Sequence, residues 1–501
     1  MRGAPGEARL LASGALLQQA AQASGLLVLL VIVTVLARRL SVSALGAYGL
    51  VASLAGYLLV FRNSLASSTV RALAAAPDAG ERGLMFTTAA ALYLGVGAAT
   101  GVLIAAAGCA IAATILSGDL ATQATVGALL LGLTSAVGLS ATMFLDALRA
   151  ERRLVLGASI EIAGVLIHLA VMLALILGGA GLGVVIGLSG SIPLWSGALA
   201  ALAVHRTLPW ARPWRGAYSR VRAAQIVPTA GRLLAVELSN LVVYGLDRVI
   251  LGAFGAPRTV GLYEGPVRAH NLLYALGGAL SVPTVPTASR YLAGDERRRL
   301  RELALRGSRY TLALFVPLCV TLMALSKPLL EAWLGERYGA GATALTILVS
   351  YWLLYGALLV TPGFLVGSGR TRGLARVLVG VAAANLALSL ALTPALGLEG
   401  PALGTAIPFA LAYPLLLRMA LSVSGATVGE LARRAWLPAY SLGALLAGGL
   451  LLLRTSVGLD SPAAVAAAGA GGVLAYWAAF YLLWLAPDER ALVRGLVSRR
   501  S

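Results

Sequence analysis

The stretch LLVLLVIVTVL, residues 26–36, is followed after one alanine by Arg38 and Arg39, and it decides the class of fold. An uncharged apolar run that ends at a pair of arginines is typical of a helix that crosses a lipid bilayer and stops at its surface. A signal peptide would carry small residues for cleavage after the run, whereas Ala21-Gln22-Ala23 precedes it. We therefore interpret the segment as an uncleaved first membrane helix.

The composition extends this interpretation to the whole chain of 501 residues. Hydrophobic residues make up 59% of the sequence and charged residues 12%, and the mean hydropathy is +0.86. Soluble domains are closer to half apolar and about a quarter charged, so the composition excludes a soluble protein. It predicts an all-α, polytopic membrane protein. The net charge of +19 would alone suggest a nucleic-acid ligand, but basic residues outside membrane spans set orientation, and we predict no nucleic-acid partner.

Apolar stretches long enough to cross a bilayer, roughly 20 residues each, recur along the chain. We predict about fourteen transmembrane helices, at residues 11–37, 44–66, 84–116, 120–146, 154–178, 181–204, 226–254, 260–286, 308–333, 341–368, 373–397, 400–423, 434–455 and 463–486. With alternate loops on opposite sides, thirty of the 39 basic residues fall on the side of both termini, seven fall on the other side, and Arg232 and Arg268 lie within spans. Because short basic loops stay in the cytoplasm, both termini are predicted to be cytoplasmic.

The two halves of the chain repeat one another at a nearly constant offset. Gly46-Ala47-Tyr48 matches Gly261-Leu262-Tyr263 at an offset of 215, and Arg153 matches Arg370 at 217. An offset of six spans preserves orientation, so the halves are predicted to be parallel repeats related about the membrane normal. The predicted organisation is a six-helix lobe at residues 1–204, a basic cytoplasmic linker at 205–225, a second six-helix lobe at 226–423, and two extra C-terminal helices with a basic tail at 424–501.

Charged and polar side chains inside predicted spans are candidates for a functional site, because they are costly in lipid and usually face a cavity or a partner. Several recur at helical spacing on the seventh and eighth spans. The candidates for contact with a substrate are Arg268, Arg232, Arg62, Asn240, Asn271 and Gln22, the last beside Gln18 and Gln19 in the first span. The candidates for coupling to an ion are Glu161, Glu237, Asp247 and Glu264.

Each of these residues also has a structural interpretation. Arg62 lies near the end of its span, where a long side chain can reach the interface. Glu264 and Arg268 are four residues apart and can neutralise one another, and Asp247 and Arg248 can form a structural ion pair. Arg268 and Arg232 are the hardest to explain in this way, because both have apolar surroundings. Both interpretations stay open at this point.

The sequence contains no motif for ATP hydrolysis, for metal binding or for catalysis. There is no phosphate-binding loop of the Walker type and no large extramembrane domain, so an ATP-driven pump is not predicted. No spacing of histidine, cysteine and acidic residues suggests a metal site, and we predict no cofactor and no enzymatic activity. The basic linker and the cluster Arg297-Arg298-Arg299 with Arg301 either attract anionic lipid head groups or only set orientation.

Several short signatures resemble those of one family. They are Leu36 to Ser41 with Leu45 to Gly49, Leu246 to Gly252 with Val260 to Tyr263, Pro283 to Arg290 with Gly294-Asp295, and Gly397 to Ala402. Together they resemble the polysaccharide-synthesis flippases of the multidrug/oligosaccharidyl-lipid/polysaccharide exporter superfamily, to which the lipid II flippase is related. The chain departs from the family at Phe61-Arg62-Asn63-Ser64, where members often carry an acidic residue and a glycine.

This resemblance implies two lobes around a central cavity that opens alternately to each side. It implies movement of undecaprenyl-diphosphate-linked oligosaccharide from the cytoplasmic to the periplasmic leaflet for O-antigen, capsule or exopolysaccharide synthesis, in the cell membrane. The implied partners are the lipid-linked substrate and membrane lipids, and the polysaccharide polymerase machinery is a further candidate. By similarity to the lipid II flippase, whose cavity is cationic, Arg268 is the first candidate for contact with the diphosphate.

Two other functions stay open on the sequence alone. A drug or toxin cation antiporter of the same superfamily would have the same spans, and it would favour an acidic cavity over arginines. An integral-membrane polymerase or glycosyltransferase would carry a long periplasmic loop with catalytic residues, and no predicted outer loop is long enough.

Overall fold

The computed structural model describes residues 4–213, 216, 218–281, 284–456, 458–459 and 461–491. Within these ranges the side chains of residues 4–16, 57–59, 232–233 and 235–244 lie outside the description. Every regular element in the described part of the chain is helical, as the composition predicts. The chain divides into two compact units, Met1–Glu264 and Gly265–Ser501, and the lobe boundaries inferred from the sequence stay a prediction.

The first unit contains eleven described α-helices and the start of a twelfth. They are α1 (Ala4–Arg39), α2 (Val42–Ala52), α3 (Ala55–Ala75), α4 (Ala79–Ile115), α5 (Gly118–Ala141), α6 (Met143–Ala150), α7 (Leu154–Leu177), α8 (Leu182–Leu188), α9 (Ile192–Thr207), α10 (Arg220–Gly245), α11 (Asp247–Phe254) and α12 (Pro257–Ser281). Side-chain caps fix several starts. Ser41 accepts a hydrogen bond from the amide of Ala44 at 3.1 Å, and Asp78 accepts one from Glu81 at 2.8 Å, as polar N-cap residues do.

The second unit takes the rest of α12 and ten further described α-helices. They are α13 (Thr284–Ala293), α14 (Arg297–Ala324), α15 (Ser326–Leu334), α16 (Ala342–Tyr355), α17 (Thr361–Gly367), α18 (Thr371–Leu396), α19 (Glu399–Ser424), α20 (Val428–Leu431), α21 (Leu437–Ser456) and α22 (Pro462–Leu483). Two turns of 3₁₀-helix (Glu336–Gly341) precede α16 and one turn (Gly356–Leu358) follows it, and a π-helical turn joins α20 to α21. Tyr351 and Phe409 stack at the centre of this unit, with their ring centroids 4.7 Å apart.

The described residues contain ten helices that are long and apolar enough to cross a membrane, or eleven if the bent pair α8 and α9 forms one span. The other three predicted spans, the second, seventh and eighth, are also helical. The second is broken between α2 and α3, and the seventh and eighth carry the charged residues noted above. The prediction of many membrane-spanning helices is confirmed, whereas the count of fourteen stays a prediction.

Two glycines of the internal repeat meet within the first unit, where α2 crosses the start of α12. A Cβ on Gly46 would lie 2.7 Å from the carbonyl carbon of Pro257, and a Cβ on Gly261 would lie 3.0 Å from that of Val42. Both distances are too short for any side chain, so the backbones approach closely only because both residues are glycine. At the offset of 215 Gly46 corresponds to Gly261 and Val42 to Pro257, and the contact is therefore symmetric between the repeats.

Candidate functional site

A polar network joins five helices of the first unit. Its members, which we call the arginine network, are Gln18 on α1, Arg62 on α3, Tyr93 on α4, Asp146 and Arg149 on α6, and Glu161 on α7. Four of these residues are charged and lie in a largely apolar bundle, so their partners decide what this part of the bundle can bind.

Glu161 is the centre of the arginine network. Its Oε1 accepts hydrogen bonds from Nη2 of Arg149 at 2.7 Å and from Nη2 of Arg62 at 3.2 Å. Its Oε2 accepts one from Nε2 of Gln18 at 2.7 Å. Three donors from three different helices therefore converge on one carboxylate, and their hydrogen bonds hold α1, α3 and α6 against α7.

Asp146 is the second carboxylate of the arginine network, and its side chain is 0% exposed. Its Oδ1 accepts a hydrogen bond from Nη1 of Arg149 at 2.9 Å, and its Oδ2 accepts one from the hydroxyl of Tyr93 at 2.5 Å. Arg149 thus bridges the two acids with the two ends of its guanidinium fork. The network is neutral overall, with two arginines and two carboxylates, which is the condition for burying charge at tolerable free energy.

Hydrogen-bond donors are in excess in the arginine network. An arginine carries five N–H donors and no acceptor. Arg62 uses one of them on Glu161, and its Nε is buried without a hydrogen-bond partner among the described residues. Both carboxylates are already bonded to at least two donors each. The site is therefore suited to a ligand that brings acceptor atoms, such as phosphate oxygens, rather than to one that brings donors.

A tight turn between α6 and α7 positions Arg149 against Glu161. Arg152 takes a positive φ of 55°, and its amide hydrogen-bonds to the carbonyl of Arg149 at 3.0 Å. This left-handed residue ends α6 and lets α7 begin at Leu154, so that Glu161 returns past the last turn of α6. The sequence around residue 150 fixes this geometry.

The second unit contains the same turn without the charged residues of the arginine network. Gly369 has a φ of 73°, and its amide hydrogen-bonds to Val366 as that of Arg152 does to Arg149, at an offset of 217. At that offset Asp146, Arg149 and Glu161 correspond to Gly363, Val366 and Leu378. Because the fold forms this turn with uncharged residues at these three positions, the arginine network is not needed to build it. It is a feature of one repeat only.

A second charged cluster lies at the start of α11 and α12. The guanidinium of Arg248 bonds to the carboxylate of Glu264, and the hydroxyl of Tyr263 donates to Asp247 at 2.9 Å. Arg248 is 6% exposed and Glu264 is 0% exposed, and a Cβ on Gly49 would collide with the carboxylate of Glu264. The ion pair of Arg248 is therefore with Glu264, whereas the sequence suggested its neighbour Asp247.

The remaining candidates fall in different places. Arg268 and Asn271 lie half-buried on α12, three residues apart and so on one face of the helix. Gln22 on α1 is exposed, and it is Gln18, one turn earlier, that contacts Glu161. Arg232, Glu237 and Asn240 belong to α10, but their side chains lie outside the described residues. The structure thus brings Arg62 and Glu161 together.

Sequence reasoning missed Tyr93, Asp146 and Arg149. Arg149 was counted among the arginines of a cytoplasmic loop, because it is followed by Arg152 and Arg153. The available signal was Asp146 three residues before Arg149, on a segment that is otherwise apolar, which places both side chains on the same face of a helix. Tyr93 carried no signal, since a tyrosine in a membrane span is common.

Replacing Tyr93 by phenylalanine tests the burial of Asp146. We expect Tyr93→Phe to lower the free energy of unfolding by about 1–3 kcal/mol, because a fully buried carboxylate loses one of its donors. The measurement is equilibrium unfolding of the purified protein in mixed micelles. Tyr218→Phe removes an exposed hydroxyl and should change the free energy by less than about 0.5 kcal/mol. An equal effect of the two variants would contradict this account of Asp146.

The comparisons with known proteins agree with this architecture. A sequence profile of the polysaccharide biosynthesis protein family matches residues 35–342, which is more than half of the chain. No curated protein sequence matches significantly.

Solved structures of transporters share the fold. The lipid II flippase MurJ in its inward closed conformation is 13% identical, with a TM-score of 0.71 over 93% of this chain and 99% of that one. An inward-facing multidrug resistance MATE family transporter of the MOP superfamily is 15% identical, with a TM-score of 0.66 over 80% of this chain and 95% of that one. A Vibrio cholerae MATE transporter is 14% identical, with a TM-score of 0.55 over 84% of this chain and 98% of that one.

The helical fold, the apolar spans and the family profile lead to one assignment. The protein belongs to the polysaccharide biosynthesis protein family, and it shares the fold of solved structures of a lipid II flippase and of MATE transporters.

Proposed function

We propose that this transporter flips an undecaprenyl-diphosphate-linked oligosaccharide from the cytoplasmic to the periplasmic leaflet by alternating access. The substrate serves the synthesis of a surface polysaccharide such as O-antigen, capsule or exopolysaccharide. Membership of a polysaccharide biosynthesis family supports the pathway, and likeness to a lipid II flippase supports the class of substrate. The protein acts in the cell membrane with both termini in the cytoplasm, and the polymerase machinery is its candidate partner.

The observation that carries the proposal is the surplus of donors on Arg62. A diphosphate cannot cross hydrocarbon without compensation, because a buried charge that is neither paired nor hydrogen-bonded costs many times the thermal energy. A guanidinium fork supplies parallel N–H donors that match phosphate oxygens. The buried Nε of Arg62 is one such donor without a partner among the described residues. The isoprenoid chain stays in lipid, so that only the head group needs a polar path.

Glu161 gives the arginine network a way to release its ligand. A diphosphate that binds Arg62 competes with Glu161 for the same guanidinium. Return of the Glu161 carboxylate to Arg62 then expels the anion, and Glu161 is also one of the acids proposed for coupling to an ion. Glu237, Asp247 and Glu264 are the other acids proposed for coupling. A membrane potential that is negative inside also favours outward movement of an anion, by about 2.3 kcal/mol per charge for 100 mV.

Arg268 is the second proposed contact for the diphosphate. We expect Arg268→Ala to abolish export of surface polysaccharide in cells that depend on this transporter, because one of the guanidinium groups proposed to hold the diphosphate is lost. Export is measured by surface labelling of the polymer, with immunoblotting of membranes to confirm that the variant is inserted at the normal level. Asn271→Ala tests the neighbouring position on the same face and should reduce export less. Normal export by the Arg268 variant would remove this residue from the site.

A cation antiporter is the second candidate, and the likeness to MATE transporters favours it. The two functions can be distinguished by the substrate that the protein transports after reconstitution in proteoliposomes. A flippase moves a fluorescent lipid-linked diphosphate oligosaccharide between leaflets and leaves organic cations untouched. An antiporter accumulates an organic cation against a proton or sodium gradient. Uptake of the cation without any lipid movement would overturn the proposed function.

A further inference from the structure

A cavity of about 580 Å³ opens beside the turn between α17 and α18. It lies far from the arginine network along the chain, in the second unit. Its lining combines basic, hydroxyl and apolar side chains, namely Leu365, Gly369, Arg370, Thr371, Arg372, Gly373, Met419 and Ser422. Its two arginines are exposed at the end of the unit where the loops are predicted to face the cytoplasm.

The charge around this cavity is uncompensated within its own helices. Arg370 donates from Nη1 to the hydroxyl of Ser422 at 3.1 Å, and no ion pair of Arg370 or Arg372 occurs among the described residues. Residues 361–424 contain four arginines and a single acid, Glu399. Glu399 begins α19, so at 1.5 Å per residue it lies about 35 Å from Ser422 along that helix.

The corresponding turn of the first unit shows that this charge is a local addition. At the offset of 217 Arg370 corresponds to Arg153, but Arg372, Arg376 and Arg418 correspond to Val155, Ser159 and Ala201. Ser368 corresponds to Glu151, whose carboxylate is paired with Arg82 at 2.5 Å. A signal for membrane orientation would serve both turns equally. The second unit instead gains Arg372, Arg376 and Arg418 and has Val366 and Gly369 in place of Arg149 and Arg152. It also loses the acids at positions 146, 151 and 161, so its positive charge lacks the carboxylates that accompany the turn of the first unit.

We propose that Arg370 and Arg372, with the hydroxyl of Thr371, bind the phosphate group of an anionic membrane lipid. The hydroxyl of Ser422 accepts a hydrogen bond from Arg370 and donates one to the carbonyl of Met419 at 2.8 Å, so it holds the guanidinium in place. Guanidinium and hydroxyl donors suit phosphate oxygens. The apolar side chains of Leu365 and Met419 line the same cavity and provide contact for the glycerol and the first acyl carbons. At the predicted cytoplasmic surface, anionic head groups are the abundant source of such phosphates. This site is separate from transport and does not depend on the proposed function.

Lipid binding is measured on the purified full chain in a neutral detergent by titration calorimetry. The probes are a short-chain phosphatidylglycerol, a phosphatidylcholine of the same chain length, and inorganic phosphate. Ser368→Glu restores the acid of the first unit without removing an arginine, and Arg370→Gln with Arg372→Gln removes the donors. Arg153→Gln is the matched control at the corresponding turn, and size-exclusion chromatography confirms that each variant is folded.

We expect phosphatidylglycerol to bind at least tenfold more tightly than either other probe. Ser368→Glu and the double variant should each weaken it at least tenfold, and Arg153→Gln should change it less than twofold. Unchanged binding in both site variants would overturn the proposal, and so would an equal loss in Arg153→Gln. If inorganic phosphate binds as tightly as phosphatidylglycerol, the proposal that the bound phosphate belongs to a lipid is overturned.

Discussion

Arg62→Gln should reduce transport of a diphosphate-linked oligosaccharide by about tenfold or more, while the protein stays folded. Glutamine keeps a donor near Glu161 but loses the charge and the forked geometry, and a hydrogen bond to a charged group contributes about 1.5–3 kcal/mol. The side chain of Arg62 is 18% exposed, and Glu161 keeps its bonds to Arg149 and Gln18. We therefore expect the variant to stay folded, with a moderate loss in the free energy of unfolding, because the network is left with one uncompensated negative charge.

The measurement is movement of a fluorescent lipid-linked oligosaccharide in proteoliposomes that contain equal amounts of each variant. Arg62→Lys keeps the charge but presents a point charge instead of a fork, so its rate should fall between those of the native protein and Arg62→Gln. Arg71→Gln is the control on the same helix, because Arg71 is exposed and lies outside the arginine network. A native rate in Arg62→Gln would exclude this arginine from the substrate path.

Glu264→Ala should be among the most destabilising single substitutions in the chain. It removes the carboxylate that binds Arg248, which is 6% exposed. Breaking a buried ion pair by removing one partner costs about 3–5 kcal/mol, because a charge stays behind in an apolar environment. Asp247 lies beside Arg248 but already accepts the hydroxyl of Tyr263. The loss is measured as the free energy of unfolding in mixed micelles.

Two control variants distinguish the loss of the buried ion pair from a general sensitivity of the protein to substitution of a carboxylate. Glu302→Ala removes a carboxylate that is 38% exposed and bonded to Arg306 and Arg434, and it should cost less than about 1 kcal/mol. Arg248→Met combined with Glu264→Leu removes both charges and should recover most of the stability lost in Glu264→Ala. If the double variant is no more stable than Glu264→Ala, the loss comes from packing and not from the buried charge.

The fold could be predicted from the sequence because membrane spans are long and apolar. Each of the fourteen predicted spans contains helix in the part of the chain that the structure describes. The breaks within them were harder to predict. The helix at residues 118–150 divides into α5 and α6 near Thr142, and the second predicted span divides between Ala52 and Ala55. Apolar sequence continues through both breaks, so hydropathy alone gives no boundary there.

The site could be predicted only in part, because hydropathy identifies costly residues but not their partners. Arg62 and Glu161 were identified since charge inside a span is rare. Their contact joins α3 to α7 across 99 residues, and no local pattern encodes it. Arg149 was hidden by its neighbours, because an arginine at the end of a span is the usual signal of orientation. Hydrogen-bond partners that lie on distant helices are identified only from the three-dimensional structure.

The glycine crossing of α2 and α12 has a consequence for the symmetry of the two repeats. Gly46 approaches Pro257 while Gly261 approaches Val42, so each repeat offers the other the same surface. Such a reciprocal contact is what a twofold axis produces between identical subunits. Two half-length copies of the chain would meet in the same way, each placing its glycine against the backbone of the other. The close approach requires glycine at both positions, so a side chain at either one would separate α2 from α12.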